Sequence, residues 1–363
     1  MPKRLSSLVF LLVLAATTLS CSPFYVLRAG WEEAKILGRR RPIEQVLTDP
    51  ATDSTTHRKL QLVVQARDFA RQALDLAAGD SYTTYSWVDS DTLLLVLSAA
   101  HKDRFEPHTW WFPIVGNVPY KGYFDFEEAH EQAARLASEG YDTYVRPSGA
   151  FSTLGWFNDP LLNTVLRYND IDLVSTVIHE ITHNTLYLSS QVAFNESYAS
   201  FVGDRGAIDF FCEREGPDSR VCTTTRDAWH DTRVYGRFIS AFIDSLEALY
   251  ARTDLTSAQK ISMREDVFDG ARRRFTEAVI PELRTRTYHG FPNRPLNNAT
   301  LIGINLYYER LDLFEAVYDH FGQDLVASIR AIESAARSRE DDPYAAIEAL
   351  LEPAPARPAA ARR

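Results

Sequence analysis

The chain has 363 residues, 39 Lys+Arg against 49 Asp+Glu for a formal charge of −10, 45% hydrophobic and 12% aromatic residues, and three cysteines. Its length accommodates one large or two intimate domains with a substantial core, and its aromatic content excludes disorder as a whole-chain description. The acidic balance argues against nucleic acid, whose phosphates call for a basic stripe, and three cysteines make neither a disulfide scaffold nor a four-thiolate zinc site.

Residues 1–20 read as a secretory signal peptide: Met1-Pro2-Lys3-Arg4 is the positive start, Leu8 to Ala16 the apolar run, and Thr17-Thr18-Leu19-Ser20 the small-residue exit. The run is too short to span a bilayer, which takes about 20 residues. Cys21, directly after that exit, resembles the cysteine of a bacterial lipobox, which implies acylation of Cys21 and membrane attachment through that lipid. No other segment is apolar enough to cross, so the body is expected in the periplasm, and Ser22 favours the outer membrane over the inner. In that oxidising compartment Cys212 and Cys222, which enclose the turn-rich Gly216-Pro217-Asp218, read as a disulfide pair.

The remaining chain, residues 21–351, reads as one unit. A short amphipathic helix precedes Arg39-Arg40-Arg41, and residues 54–78 carry a helical stripe of Leu60, Val63, Val64, Phe69 and Leu74. Residues 82–124 change to short β-rich runs punctuated by turns, which predicts a small sheet. A helix over Phe126–Ser138 stops at Gly140, and Tyr141–Arg146 reads as a strand. From Ile171 to about residue 350 nearly everything is helical, and the Pro/Ala-rich tail 352–363 reads as disordered. The fold class is therefore α+β, a small early sheet followed by a large helical body.

Chemistry concentrates in Ile178-His179-Glu180-Ile181-Thr182-His183. On a helix, histidines four apart share one face, where each can offer a ring nitrogen to a zinc ion. Glu180 lies about 100° around the helix from His179, which carries its carboxylate to the side of the metal, as a general base requires. A catalytic zinc takes three protein ligands and leaves one position open. Asn195 follows His183 by twelve positions, and Leu188-Ser189-Ser190-Gln191 breaks the helix between them. With Asn195 as N-cap of an antiparallel second helix, Glu196 in its first turn lies level with His183 and supplies the third ligand. Small Ala199, one turn on, lets the two helices approach.

His179-Glu180-x-x-His183 followed by Asn195-Glu196-x-x-Ala199 resembles the gluzincin metallopeptidases. The run Tyr120-Lys121-Gly122-Tyr123-Phe124-Asp125, then Ser152-Thr153-Leu154-Gly155-Trp156-Phe157, then Phe194-Asn195-Glu196-Ser197 and Pro295-Leu296-Asn297-Asn298-Ala299, is similar to a bacterial aminopeptidase family of envelope proteins. The resemblance covers nearly the whole mature chain and implies a gluzincin-like core, one zinc ion per chain and a peptide substrate. The spacing to Asn195 is shorter than in the larger zinc aminopeptidases, so their substrate pocket does not transfer. The resemblance further implies an edge strand that binds substrate through its main chain, for which Ala150, Phe151 and Ser152 are placed, and a donor to the oxyanion, for which Tyr307, Tyr308 and Tyr288 are candidates, with Asn297-Asn298-Ala299 facing the cleft. Asp204 and Asp172 are alternatives for a carboxylate that orients His179 or His183. No residue announces itself as an anchor for a substrate α-amine, and none specifies a protein partner. The residues therefore leave three readings: aminopeptidase, envelope endopeptidase, and a non-catalytic metal-binding lipoprotein.

Overall fold

A computed structural model describes residues 31, 34–90, 92–112, 115–148, 160–285 and 287–352. The leader, Cys21, the segment Ala150-Phe151-Ser152 and the tail from residue 353 lie outside the described residues. Among the described residues no helix is long and apolar enough to cross a membrane.

In chain order the strands are β1 (Arg41–Pro42), β2 (Thr84–Ser86), β3 (Leu94–His101), β4 (Trp110–Phe112), β5 (Gly116–Val118), β6 (Tyr120–Tyr123), β7 (Tyr141–Ser148) and β8 (Leu161–Leu162). The helices are α1 (Ile43–Thr48), α2 (Ser54–Gln72), α3 (Phe126–Ser138), α4 (Asp170–Thr185), α5 (Val192–Glu215), α6 (Arg220–Tyr250), α7 (Ser257–Arg274), α8 (Asn298–Asn305), α9 (Leu311–His320), α10 (Leu325–Ser338) and α11 (Pro343–Leu351). The architecture is α+β: three small sheets, then helices. The stripe that begins at Ser54 ends as a helix at Gln72, because Asp75 adopts φ +58° and turns the chain back. Leu74 and Leu76 still reach the core from this turn.

The sheet that matters to the site has the order β6-β3-β7, all antiparallel. Strand alternation gives it two faces. Leu95, Leu97 and Ala99 of β3 pack with Tyr123 and Val145 against Ala129, Ala133 and Leu136 of α3. Helix α3 starts because Asp125 caps it, accepting from the N–H groups of Glu127 and Glu128, and it stops before Gly140 at φ +95°. The opposite face sets Ala100 and Tyr144 against Ala299 and Ile302 of α8. On that face Tyr120, Ser98 and Tyr144 form one row and Gly122, Val96 and Arg146 the next.

The first helical core joins α2, α4 and α5 to the last three helices through Val63, Ile178, Phe201, Phe314 and Ile332. A second, of Phe242, Phe268, Phe275 and Phe291, lies between α6 and α7. Sheet and helices are locked together by the buried pair Arg264–Asp142, bidentate at 2.7 and 3.0 Å, with Asp142 also accepting from the N–H of Asn298 at the start of α8. Such a pair is geometrically demanding, and it fixes β7 against α7 and α8. Cys212 at the end of α5 and Cys222 at the start of α6 are joined by a disulfide.

The closest helix contact is that of α4 with α5. A Cβ on Gly203 would lie 2.8 Å from the carbonyl oxygen of Ser175 and 3.1 Å from Cβ of His179, and one on Gly206 would lie 3.1 Å from Ile178. These glycines permit the close helix separation. Ala199 is fully buried on the same helix.

Two predictions follow from packing and burial. Gly203→Ala should destabilise the protein by about 1–3 kcal/mol in denaturant titration, since backbone has to move. Gly270→Ala, whose Cβ would meet only the end of the Arg273 side chain at 3.8 Å, should be neutral or stabilising by up to about 1 kcal/mol. A Gly203 variant as stable as wild type would remove the close-contact argument. Asp209 on α5 is raised to about 6 by burial, with Arg205 and Arg226 opposing and Glu213 reinforcing. The native state thus holds this proton more tightly than the unfolded chain, where the residue titrates near 3.8. Stability linked to Asp209 is full below about pH 4 and is lost as pH rises through about 6. Asp209→Asn should therefore gain about 1–2 kcal/mol over wild type at pH 7.5 and nothing at pH 4; parallel pH profiles would refute it.

Candidate metal centre

Helix α4 opens with Asn169 as N-cap, its side chain accepting from the Asp172 N–H at 2.9 Å, and Asp170 and Asp172 in the first turn suit the positive helix end. Leu173, Val174, Val177, Ile178 and Ile181 bury one face completely. The adjoining face carries His179 and His183, whose rings meet edge to face with centroids 4.9 Å apart. The helix ends at Thr185, and a tight connection through Ser190 at φ +64° returns the chain antiparallel as α5.

Asn195 is not the cap of α5, which begins at Val192 with Gln191 in the cap position and no side-chain capping bond. Buried Asn195 instead spans the connection, accepting from the Leu188 N–H at 2.9 Å and donating to the Leu188 carbonyl at 2.7 Å. The reason is register: three residues of helix precede it, so its amide faces the loop it clamps. The β4–β5 hairpin grips the same loop from outside, through Ser190 N–H to the Val115 carbonyl and Asn117 N–H to Ser190 Oγ. Glu196 thereby falls in the second turn, facing both histidines.

The Oε2 atom of Glu196 lies 3.3 Å from His179 Nε2 and 3.7 Å from His183 Nε2, and ligand atoms of the three side chains lie within 4.8 Å of one another. Ligands about 2.0–2.1 Å from a tetrahedral ion stand about 3.3 Å apart, so Glu196 lies at or near that separation from each histidine, and two imidazoles with a carboxylate are a donor set that suits zinc. Burial would raise the Glu196 carboxyl, but hydrogen bonds and positive charge from His179 and His183 outweigh it and hold the group far below the usual carboxylate range. Burial likewise opposes protonation of His183, and Glu196 overcomes it. His183 Nδ1 is buried with no hydrogen-bond partner, so the ring's polar commitment is on the Nε2 side, toward Glu196. Two imidazoles and a carboxylate collected in apolar surroundings are costly unless they hold a cation.

Three tyrosines surround this cluster. Tyr307, just past α8, has its ring 6.2 Å from that of His179, and Tyr187 has its ring 6.3 Å from that of His183. The charge of Glu196, then burial, drives the Tyr307 hydroxyl well up, and burial with Glu196 raises Tyr187 to about 12 and Tyr120 well above its ordinary value. All three remain protonated donors at neutral pH. Arg146 of β7 reaches Tyr307 Oη at 3.5 Å. Glu180 follows His179 on α4, and its charge acts on Tyr307, His183 and Tyr168. A groove of about 1070 Å³ runs from Tyr168 past Asp172, Lys59, Tyr85 and Thr287.

Other candidates lie elsewhere or do other work. Tyr308 and Tyr288 bond each other, and Tyr288 stacks on Tyr235 at 4.3 Å, in the second helical core. Asn297 caps α8, and Asn298 is buried on Tyr250 and the His101 carbonyl, so this motif fastens α8 to the sheet and does not face the cluster. Asp172 bonds the capping Asn169. Asp204 accepts from Ser175 Oγ at 2.6 Å; burial raises it to about 6, and His179 is among the charges that oppose this. Sequence reasoning missed Tyr120, Tyr187, Arg146 and Gly203. Tyr187 had a signal, four residues beyond His183 in the same rhythm that relates His183 to His179.

Fold and site thus define an α+β chain with a candidate His–His–Glu metal centre on two packed helices. The chain belongs to the family described as "putative aminopeptidase", whose sequence model matches residues 24–346. That membership places it among peptidases. No curated protein and no solved structure matches it.

Adding zinc to metal-free protein should raise the melting temperature, with the shift abolished in His183→Ala and Glu196→Gln. An undiminished shift in Glu196→Gln would remove that residue from the ligand set.

Proposed function

We propose that this protein is a zinc-dependent aminopeptidase of the bacterial envelope, built on a gluzincin-type core. The observation that carries the reading is the convergence of His179, His183 and Glu196, with Glu180 next to His179 in the sequence of α4. Family membership supports peptidase activity. The envelope location and the Cys21 lipid anchor rest on the N-terminal sequence.

Nε2 of His179, Nε2 of His183 and a carboxylate oxygen of Glu196 would hold the ion. When bound, zinc supplies Lewis-acid polarisation of the scissile carbonyl and acidifies water. Glu180 takes the proton from the attacking water and delivers it to the leaving nitrogen, so one carboxylate serves as base and then acid. A structural metal site has no use for such a group, which favours catalysis over a scaffold. Tyr307, kept protonated beside Glu196, donates to the oxyanion that develops on the carbonyl oxygen. Tyr187 and Tyr120 close the cluster from the helix end and from the sheet, limiting the access of water.

Glu180→Gln should retain zinc and lose at least about 1000-fold in kcat, and Tyr307→Phe should lose about 100-fold with little change in KM. A peptide library digested and read by mass spectrometry should show stepwise loss of N-terminal residues. Internal cuts would replace the aminopeptidase reading with an endopeptidase, and zinc-loaded wild type that cleaves nothing would end the catalytic one.

A further inference from the structure

Arg146 stands apart from the other buried and partly buried arginines at comparable depth. Arg264 is satisfied by both oxygens of Asp142 and by the Lys102 carbonyl, and Arg205 and Arg233 close on the buried carboxylate of Glu315. Arg146 is partly buried, yet among the described residues its hydrogen bond is one long contact, 3.5 Å, to the hydroxyl of Tyr307. The groups that act on it most strongly are hydroxyls, those of Tyr307, Tyr120 and Tyr144, rather than carboxylates. A guanidinium offers five donors in a planar fork that matches a carboxylate, and withdrawing part of such a group from water without an anion is costly.

Its position is dictated by the sheet. Arg146 occupies the same face as Tyr120 and Tyr144, one row further along, on β7 at the sheet's edge. Tyr307 connects it to His179 on one side, and Tyr168, on which both Glu180 and Arg146 act, connects it to the catalytic carboxylate on the other. The fork therefore faces the site from a point beside the reacting centre.

We propose that Arg146 is a substrate-binding residue that receives a carboxylate of the peptide, so that the preferred substrates are short peptides carrying a free carboxylate close to the scissile bond. This rests on the reading of the cluster as the active site and sharpens it by naming the substrate class. The terminal carboxylate of a di- or tripeptide and an acidic side chain present the same chemistry to the fork, and the test separates them.

The zinc-loaded full chain carrying Glu180→Gln, which binds without turnover, is titrated calorimetrically with Leu-Gly-Gly and its C-terminal amide, and with Leu-Asp amide and Leu-Asn amide. At least one acid should bind about tenfold or more tightly than its neutral partner. A preference in the first pair assigns the terminal carboxylate, and one in the second pair the side chain. Adding Arg146→Gln should bring the ratio to about one with zinc content unchanged, and Arg146→Lys, which keeps the charge without the fork, should leave an intermediate ratio. Equal affinities for acids and amides, no binding of any of the four, or a preference that survives Arg146→Gln would overturn the proposal, the last because the carboxylate would then be held by the metal. If the preference holds but protein with Glu180 intact cleaves no peptide, the catalytic reading fails and the carboxylate site stands.

Discussion

Two helices approach so closely that glycine is required between them, and the geometry of the site depends on that contact. At Gly203 the backbone of α5 presses on the Ser175 carbonyl and on Cβ of His179, leaving no room for a side chain. The separation this sets, together with the antiparallel return, puts Glu196 within reach of both histidines. A wider spacing would leave buried His183 and the partly buried His179 and Glu196 each without its partner, and the desolvation cost would fall on the fold. The hydrophobic face of α4 drives the contact, the glycines permit it, and the short connection clamped by Asn195 fixes its register.

The sheet contributes in a different way. Its period of two sends one set of side chains into α3 and the other toward α8, and two successive rows of this second face carry Tyr120 and Arg146 toward the His–His–Glu cluster. Arg264 and Asp142 prevent the sheet from sliding over the helical body. The aromatic and cationic wall of the site is therefore held by an ion pair buried on the far side of α8 from Tyr307, with α8 transmitting the position through its N-terminal bond to Asp142 and its C-terminal step into Tyr307.

Electrostatically the centre is a collection of groups that need one another. Glu196 stays ionised because the histidines face it, His183 is favoured in its protonated form because Glu196 faces it, and the surrounding tyrosines are held as donors by the same carboxylate. A cation bound there would displace the proton that Glu196 favours on His183, so metal uptake would be coupled to proton release.

By itself the sequence determined the α+β class, the helix that carries His179, Glu180 and His183, and the pairing of that motif with Glu196, because a four-residue spacing on an apolar helix and a short break before a second helix are local facts. It also placed α3 over Phe126–Ser138 with its stop at Gly140. Register and long-range approach were decided only in three dimensions. Asn195 looked like a cap because its residue type suits one, yet it clamps a loop, and the tight approach at Gly203 became visible only once α4 and α5 were packed. Nothing local distinguished Tyr307 from Tyr308 among seventeen tyrosines; one residue's difference in where α8 ends sends the first to the metal cluster and the second into a core. Arg146 is one more arginine in a strand until β7 pairs with β3 and the fold turns that face of the sheet toward the site, because what a side chain meets across a sheet depends on pairings between segments distant in the chain.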